Sequence, residues 1–203
     1  MKRNRNQIVA LSKGNRKLGG VMNISMSPRT CCPVGVPCSK KCYALKAIRL
    51  YPPTREAWSR NARIAKRHPD SYFMQIATHV AKAKPRLFRW HVAGDILSAD
   101  YLHGMCRIAA ENSNTRFLAF SKAFDIVNRY EDHEAIPANL VLVFSGWPGM
   151  SFSNPHGHRV AWMQNGAETR VPKDALECPG NCESCGMCYE LERLGRDVVF
   201  HKH

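Results

Sequence analysis

The cysteines of this 203-residue chain are the feature that most restricts how it can fold. Eight of the nine fall in two short groups, one near each end of the chain, and only Cys106 stands alone. The chain has no long apolar run and no secretory leader pattern, so we expect a cytoplasmic, reducing location in which disulfides are rare. Clustered cysteines in such a location indicate a metal ion or an inorganic cluster.

The late group has four cysteines spaced C-x3-C-x2-C-x2-C, namely Cys178, Cys182, Cys185 and Cys188. Ferredoxin-type segments hold iron–sulfur clusters with similar gaps in the opposite order. Zinc sites usually draw two ligands from each of two separated knuckles. Four soft thiolates in one short segment therefore favour a [4Fe-4S] cluster, and zinc stays the alternative.

The early group contains Cys32, Cys38 and Cys42 with the spacing C-x5-C-x3-C. Three ligands leave one iron of a four-iron cluster open to a substrate or cofactor. Cys31 is an alternative ligand to Cys32, which we prefer because Pro33 fixes the turn that follows it. One cluster or two are predicted, the alternative being a single zinc ion shared between the two groups.

Strand and helix patterns alternate along most of the chain, which is typical of a parallel sheet with crossover helices. Helices are predicted at 43–50, 53–66, 70–83, 98–112 and 122–130. Six strands are predicted at 20–27, 87–95, 115–120, 139–146, 158–162 and 197–201. We expect an α/β fold, an open, partial parallel β/α barrel of about six strands. A basic arm (1–19) would precede one domain (20–203) that includes the late cysteine segment (178–188).

In such folds, reactive groups gather at the carboxyl ends of the strands. The early cysteines follow the first predicted strand, Asp95 the second and Lys122 the third, while the late cysteines follow the fifth. The sequence therefore predicts one edge with both cysteine groups, a carboxylate and a lysine. The simpler interpretation is that Asp95 caps a turn and Lys122 begins a helix in solvent.

The charge of the chain indicates a polyanionic partner. The formal net charge is +14 and the pI is about 9.7. Such a field favours nucleic acid, although a run of charges is often only a solvated face. No membrane partner is expected.

Several stretches resemble known families. The Cys-Tyr-Ala sequence at 42–44 resembles the cluster loop of radical S-adenosylmethionine enzymes, which have C-x3-C-x2-C with an aromatic residue beside the last cysteine. A broader match is to the phage and prophage gene product 88 family, a distant relative of those enzymes. The matching stretches are 32–44, 60–61, 88–102, 117–122 and 178–188.

The resemblance implies a role for each group. The early cysteines would bind a [4Fe-4S] cluster with an open iron, and the late cysteines would bind an auxiliary cluster. An acidic side chain beside glycine suits the ammonium of S-adenosylmethionine, and a lysine or serine could meet its carboxylate or ribose. The residues implied in cofactor binding are Tyr43, Gly94, Asp95, Ser121 and Lys122.

The function expected from this resemblance is that of an iron–sulfur protein of the radical S-adenosylmethionine type. It would act on nucleic acid or a nucleotide, would need an electron donor, and would work in the host cytoplasm if phage-encoded. Two alternatives stay open: a zinc-stabilised module that binds nucleic acid, and a non-catalytic iron–sulfur electron carrier or sensor.

Overall fold

Eight strands form one open sheet in this computed structural model, which describes residues 7–201. The strands are β1 (Leu11–Ser12), β2 (Met22–Ile24), β3 (Leu87–Trp90), β4 (Arg116–Ser121), β5 (Leu140–Gly146), β6 (Val160–Gln164), β7 (Leu176–Glu177) and β8 (Val198–His201). Their order is β1-β2-β3-β4-β5-β6-β8-β7, and β1 is antiparallel to β2 while the other pairs are parallel. The α/β class and the six predicted strands are confirmed, and two short edge strands are added.

The longer helices also agree with the predicted segments. They are α2 (Tyr43–Leu50), α3 (Pro52–Arg67), α4 (Pro69–Ala83), α5 (Ala99–Glu111) and α6 (Phe124–Glu131). Short helices α1 (Pro28–Cys31), α7 (Cys182–Cys185) and α8 (Leu191–Leu194) accompany 3-10 turns at Pro37–Lys41 and Met187–Tyr189. Ser98 caps α5, since its hydroxyl accepts a hydrogen bond of 3.1 Å from the Tyr101 N–H.

The sheet is buried on both faces, as the continuous apolar sequence of β5 indicates. One face packs against α3, α4, α5 and α6 through large buried side chains that include Trp90, Phe117 and Phe144. The other face carries a smaller cluster in which Leu118 and Val143 contact Tyr189 and Leu191. The C-terminal segment therefore covers the face that the long helices leave bare.

Strand β3 ends at Trp90, five residues before the predicted end. His91 has a φ of +52° and Gly94 has a φ of +91°. Such left-handed backbone cannot continue a ladder of strand hydrogen bonds. The segment predicted as the end of a strand is therefore a turned loop at the carboxyl edge of the sheet.

Part of the predicted basic arm packs on the domain. Val9 and Leu18 are buried, and the N–H of Val9 donates to Gln75 Oε1 over 3.0 Å. Residues 1–6 lie outside the described part of the chain. The division of the chain at residue 19 stays a prediction.

Candidate functional site

The carboxyl ends of β2, β3, β4 and β5 meet at one edge, where the early cysteine loop also lies. Asp95 follows β3, Ser121 ends β4 and Ser145 lies near the end of β5. The Lys122 N–H donates to Asp95 Oδ2 over 2.8 Å, and Lys122 and Cys32 line the same pocket. The edge therefore brings together the early cysteines, the carboxylate and the lysine that the sequence predicted there.

Asp95 is buried and joins two loops by hydrogen bonds. Its Oδ1 accepts from the Ile96 N–H at 2.8 Å and from the Ser121 hydroxyl at 2.7 Å, while Oδ2 accepts from the Lys122 N–H at 2.8 Å. Burial raises the pKa of this carboxyl, and the three donors only partly oppose that effect. Asp95 therefore holds the loop after β3 against the end of β4, and Ser121 is engaged in the same contact.

Gly94 occupies a position that a side chain would not fit. A Cβ there would lie 3.0 Å from Met26 Cβ and 3.3 Å from the Met26 carbonyl oxygen, and its φ is +91°. The absence of a side chain lets the loop after β3 approach the chain that leaves β2.

Lys122 is half-buried beside this edge. Its Nζ donates to Ser145 Oγ over 2.5 Å, which draws the side chain toward the end of β5. Among residues 7–201, no carboxylate lies within 4.0 Å of its ammonium in an ion pair, the nearest described partner being a neutral hydroxyl. Lys122 therefore offers a positive charge for an anionic ligand.

The three early thiols influence one another electrostatically. Burial raises the pKa of Cys32 to about 12, and the nearby Asp95, Cys42 and Cys38 add to that shift while the Gly94 N–H opposes it. Burial also raises the pKa of Cys38. The Cys32 thiol is therefore protonated at neutral pH, and a metal or cluster would bind it by displacing that proton.

Cys31 and Cys32 differ in environment. Cys31 ends α1, is 3% exposed and belongs to the core under the helices. Cys32 follows it in extended conformation, and the charges of Asp95 and Cys42 act on its thiol in addition to burial. The geometry thus supports Cys32 as the member of the early group.

Tyr43 links the cysteine loop to the loop after β3. Its hydroxyl donates to the Val92 carbonyl oxygen, while the side chain as a whole is 64% exposed. Because Tyr43 directly follows Cys42, this contact anchors the last cysteine of the group.

A pocket of about 930 Å³ opens beside the early cysteines. Cys31, Cys32 and Lys122 line it, together with residues of α5 and α6. Four cationic side chains are among its lining residues: Lys66, Arg107, Lys122 and Arg129. Its volume is within the range of sites for small molecules and cofactors.

A chain of buried polar side chains lies behind this pocket, and sequence reasoning missed most of it. His91 Nε2 lies 2.9 Å from the Tyr101 hydroxyl, which donates to the Tyr72 hydroxyl over 2.9 Å. Burial lowers the pKa of His91 to about 3, and His91 Nδ1 has no partner among the described residues. The two tyrosines occupy apolar helix positions, so their periodicity gives no sign of a polar role.

The four late cysteines lie elsewhere. They line one small pocket with Tyr189 and Val198, on the face that the long helices leave bare. The Cys182 N–H donates to the Lys17 carbonyl oxygen at 2.9 Å, and Arg86, which precedes β3, donates to the Glu183 carbonyl oxygen. Short helix α7, which carries Cys182 and Cys185, is therefore tied to the segments that precede β2 and β3, whereas Cys178 follows β7 and its N–H donates to the Val199 carbonyl oxygen of β8. The late cysteines line a pocket of their own, separate from the pocket beside Cys32.

Arg89 is a cation that the sequence analysis did not single out. Its guanidinium lies 4.0 Å above the Phe120 ring. Burial raises the pKa of Cys188 to about 12. The charge of Arg89 lowers this pKa, while the neighbouring Cys178 and Cys182 raise it further. A lone arginine within the apolar strand LFRW was the available signal.

Neither cysteine group has the arrangement of a preformed metal-ion site. Among residues 7–201, no three His, Cys, Asp or Glu side chains form a group that could hold a metal ion. In the same part of the chain, no helix has the length and apolar character needed to cross a membrane.

Comparison with known proteins identifies the family. The family model described as "Gene product 88" matches residues 1–191, which is most of the chain. No match was found among curated proteins or among solved structures. The chain belongs to the gene product 88 family.

Proposed function

We propose that this protein is an iron–sulfur enzyme of the radical S-adenosylmethionine type, built on an open partial barrel and acting on nucleic acid or a nucleotide. One observation carries the proposal. The loop that carries Cys32, Cys38 and Cys42 lies with Asp95 and Lys122 at the carboxyl edge of a parallel sheet, and Cys32 and Lys122 line a pocket of about 930 Å³. Parallel α/β folds place their chemistry at this edge.

The donor chemistry of the early group fits a cluster with an open iron. Cys32, Cys38 and Cys42 supply three soft sulfur ligands, which iron–sulfur clusters prefer. The fourth nearby thiol, Cys31, packs into the core. When bound there, the cluster and S-adenosylmethionine would supply one-electron chemistry, with the electron coming from a separate donor.

The donor chemistry of the late group fits a cluster whose irons all have protein ligands. Its pocket is lined by four thiols and by no carboxylate or imidazole. These four thiols also match the auxiliary cluster that the family resemblance implies. Zinc is the alternative occupant of this site, and the iron, sulfide and zinc content of the purified protein distinguishes it from a cluster.

The residues of the chain around the pocket have separate tasks in this proposal. Lys122 attracts the carboxylate of S-adenosylmethionine, and Gly94 allows close approach to the loop backbone. Asp95 already accepts three hydrogen bonds, so one of its roughly four acceptor positions is left for the ammonium. Its main task is to position the loop, and Tyr43 does the same for Cys42.

The test is release of methionine from S-adenosylmethionine by anaerobic, iron-loaded protein with dithionite as the electron donor. Cys42→Ala should abolish release, while Cys106→Ala, which removes the lone thiol in α5, should preserve it. Lys122→Met keeps the length of the side chain and removes its charge. We expect it to raise KM for S-adenosylmethionine by roughly tenfold or more, since hydrogen bonds to charged groups contribute ~1.5–3 kcal/mol.

Two results would contradict the proposal. One is the absence of methionine release by wild-type protein that contains its full complement of iron. The other is release by Cys42→Ala at the wild-type rate.

A further inference from the structure

The positive charge of the chain is concentrated around the early cysteine loop. Residues 28–68 contain ten Lys and Arg and one acidic residue, Glu56, which gives this fifth of the chain a net charge of +9 out of +14. Nine of the ten cations are exposed, and Arg60 is partly buried. The exposed ones are Arg29, Lys40, Lys41, Lys46, Arg49, Arg55, Arg63, Lys66 and Arg67. We call the exposed part of residues 28–67 the basic surface.

The cations of the basic surface have no acidic partners in the described structure. All eight ion pairs found within residues 7–201 join residues that follow Thr115. Two cations within residues 28–67 donate to backbone carbonyl oxygens, Arg60 to that of Ile8 and Lys66 to that of Thr30. A concentration of like charges without counter-charges weakens the compact state, so it indicates a polyanion that neutralises it.

Exposed apolar side chains lie among these charges. Of the seven large hydrophobic side chains that are exposed in the described part, four belong to the basic surface: Val34, Tyr43, Leu50 and Tyr51. The two tyrosines are 64% and 59% exposed. Cations that follow a backbone, interleaved with aromatic rings on which bases stack, are typical of surfaces for single-stranded nucleic acid. In a duplex the faces of the bases are not available for such stacking.

The basic surface is continuous with the large pocket. Thr30, Cys32, Pro33 and Lys66 belong to the segment that carries the surface and also line the pocket. Arg107 and Arg129 add charge on the opposite wall, where they have no carboxylate partner within the described residues. Asp70, Asp100 and Asp125 also line the pocket, so its four cations exceed its carboxylates by one. A strand on the basic surface would thus enter a pocket of mixed charge whose lining includes Cys32 and Lys122.

We propose that the basic surface binds single-stranded nucleic acid and leads one nucleotide of it into the pocket beside Cys32 and Lys122. The phosphates would contact cations from the 3-10 turn at Pro37–Lys41, from α2 and from α3. Tyr51 would stack on a base outside the pocket. This inference rests on the proposed function, because it names the substrate class of the same site. Binding of the nucleic-acid strand to the basic surface does not itself require a cluster.

The experiment measures binding of fluorescently labelled 20-nucleotide oligomers, one DNA and one RNA, and of a duplex of the same length, over a range of salt concentrations. The test variant is Lys40→Gln/Arg49→Gln/Arg63→Gln, which takes one cation from each of the three elements. The matched control is Lys82→Gln/Lys84→Gln/Lys173→Gln, which removes the same charge from exposed positions elsewhere. Neither set includes a residue assigned to the cofactor or cysteine sites.

We expect the wild type to bind a single strand more tightly than the duplex. The slope of log K against log salt should fall by about 2 in the test variant, since each phosphate contact on a single strand contributes ~0.7 to it. The control variant should keep a slope near that of the wild type. Tyr51→Ala should weaken single-strand binding by roughly tenfold and change the salt slope little, because stacking carries no charge.

Equal slopes in the test and control variants would overturn the inference, as would duplex binding as tight as single-strand binding. Iron content and methionine release are measured on the same preparations, so the two proposals fail separately. Wild-type strand binding by protein that binds no iron would contradict the proposed function alone. Full iron content with no strand binding would contradict this inference alone.

Discussion

The two cysteine groups lie on one sheet but in opposite kinds of surroundings. The early group has three thiols at the carboxyl edge, beside a buried carboxylate, a half-buried lysine and a pocket of about 930 Å³. The late group has four thiols in a small pocket on the other face, lined by no carboxylate. A site for chemistry needs an open position and polar groups around it, while a site for structure or electron transfer needs neither. The proposed function therefore places its chemistry at the early group.

The largest expected difference between the two regions concerns their carboxylates. Asp95→Ala removes the acceptor of three hydrogen bonds and leaves buried donors without a partner, so we expect a loss of about 3 kcal/mol in the free energy of unfolding. Glu183→Ala removes an exposed carboxylate in the late region that accepts from the Gly20 N–H, for a loss of about 1 kcal/mol. Urea unfolding of both variants measures the difference. Equal losses would show that Asp95 does not hold the carboxyl edge together.

One glycine in each region allows a second comparison, with a smaller expected loss of stability. Gly94→Ala adds a Cβ 3.0 Å from Met26 Cβ at a φ of +91°, and Gly186→Ala adds one at a φ of +64° with nothing within 4 Å. Gly186→Ala carries only the backbone cost, about 1 kcal/mol, whereas Gly94→Ala adds crowding for about 2 kcal/mol or more. Thermal and urea unfolding measure both values. A Gly94→Ala variant as stable as Gly186→Ala would mean that the early loop is loosely packed.

The smallest expected effect is a pH dependence specific to the early region. Burial lowers the pKa of His91 to about 3, while an unfolded histidine titrates near 6.5. Below pH ~6.5 the unfolded state therefore binds more protons, and stability falls as the pH is lowered toward 3, with a slope of at most about 1.4 kcal/mol per pH unit from this residue. His91→Asn tolerates the left-handed backbone and does not titrate. The free energy of unfolding of this variant should fall less steeply between pH ~6.5 and ~5 than that of the wild type. The same slope in both proteins would contradict a lowered pKa of His91.

Much of the fold follows from local sequence patterns. The apolar run of β5 and the periodicity of α4 are signals within single elements, and both elements lie where they were predicted. The strands β1 and β7 escaped prediction because each has only two residues and shows no alternation. The meeting of Asp95 with Ser121 and Lys122 was predictable because the carboxyl ends of adjacent parallel strands must lie at one edge.

The position of the late group could not be predicted from such patterns. It depends on contacts between distant segments, such as the Cys182 N–H with the Lys17 carbonyl oxygen and Arg86 with the Glu183 carbonyl oxygen. Neither contact leaves a periodic trace in the sequence. The polar chain from His91 through Tyr101 to Tyr72 was missed for a related reason, since a tyrosine at an apolar helix position looks like any core residue.

The central claim is that the chain holds two clusters at separate sites, and the iron, acid-labile sulfide and zinc content of anaerobically purified protein tests it most directly. Two four-iron clusters predict about eight irons per chain in the wild type. Cys42→Ala and Cys185→Ala should each leave about four, and Cys106→Ala should leave the wild-type content. Colourless protein with stoichiometric zinc, or single variants that each lose all their iron, would contradict two separate clusters.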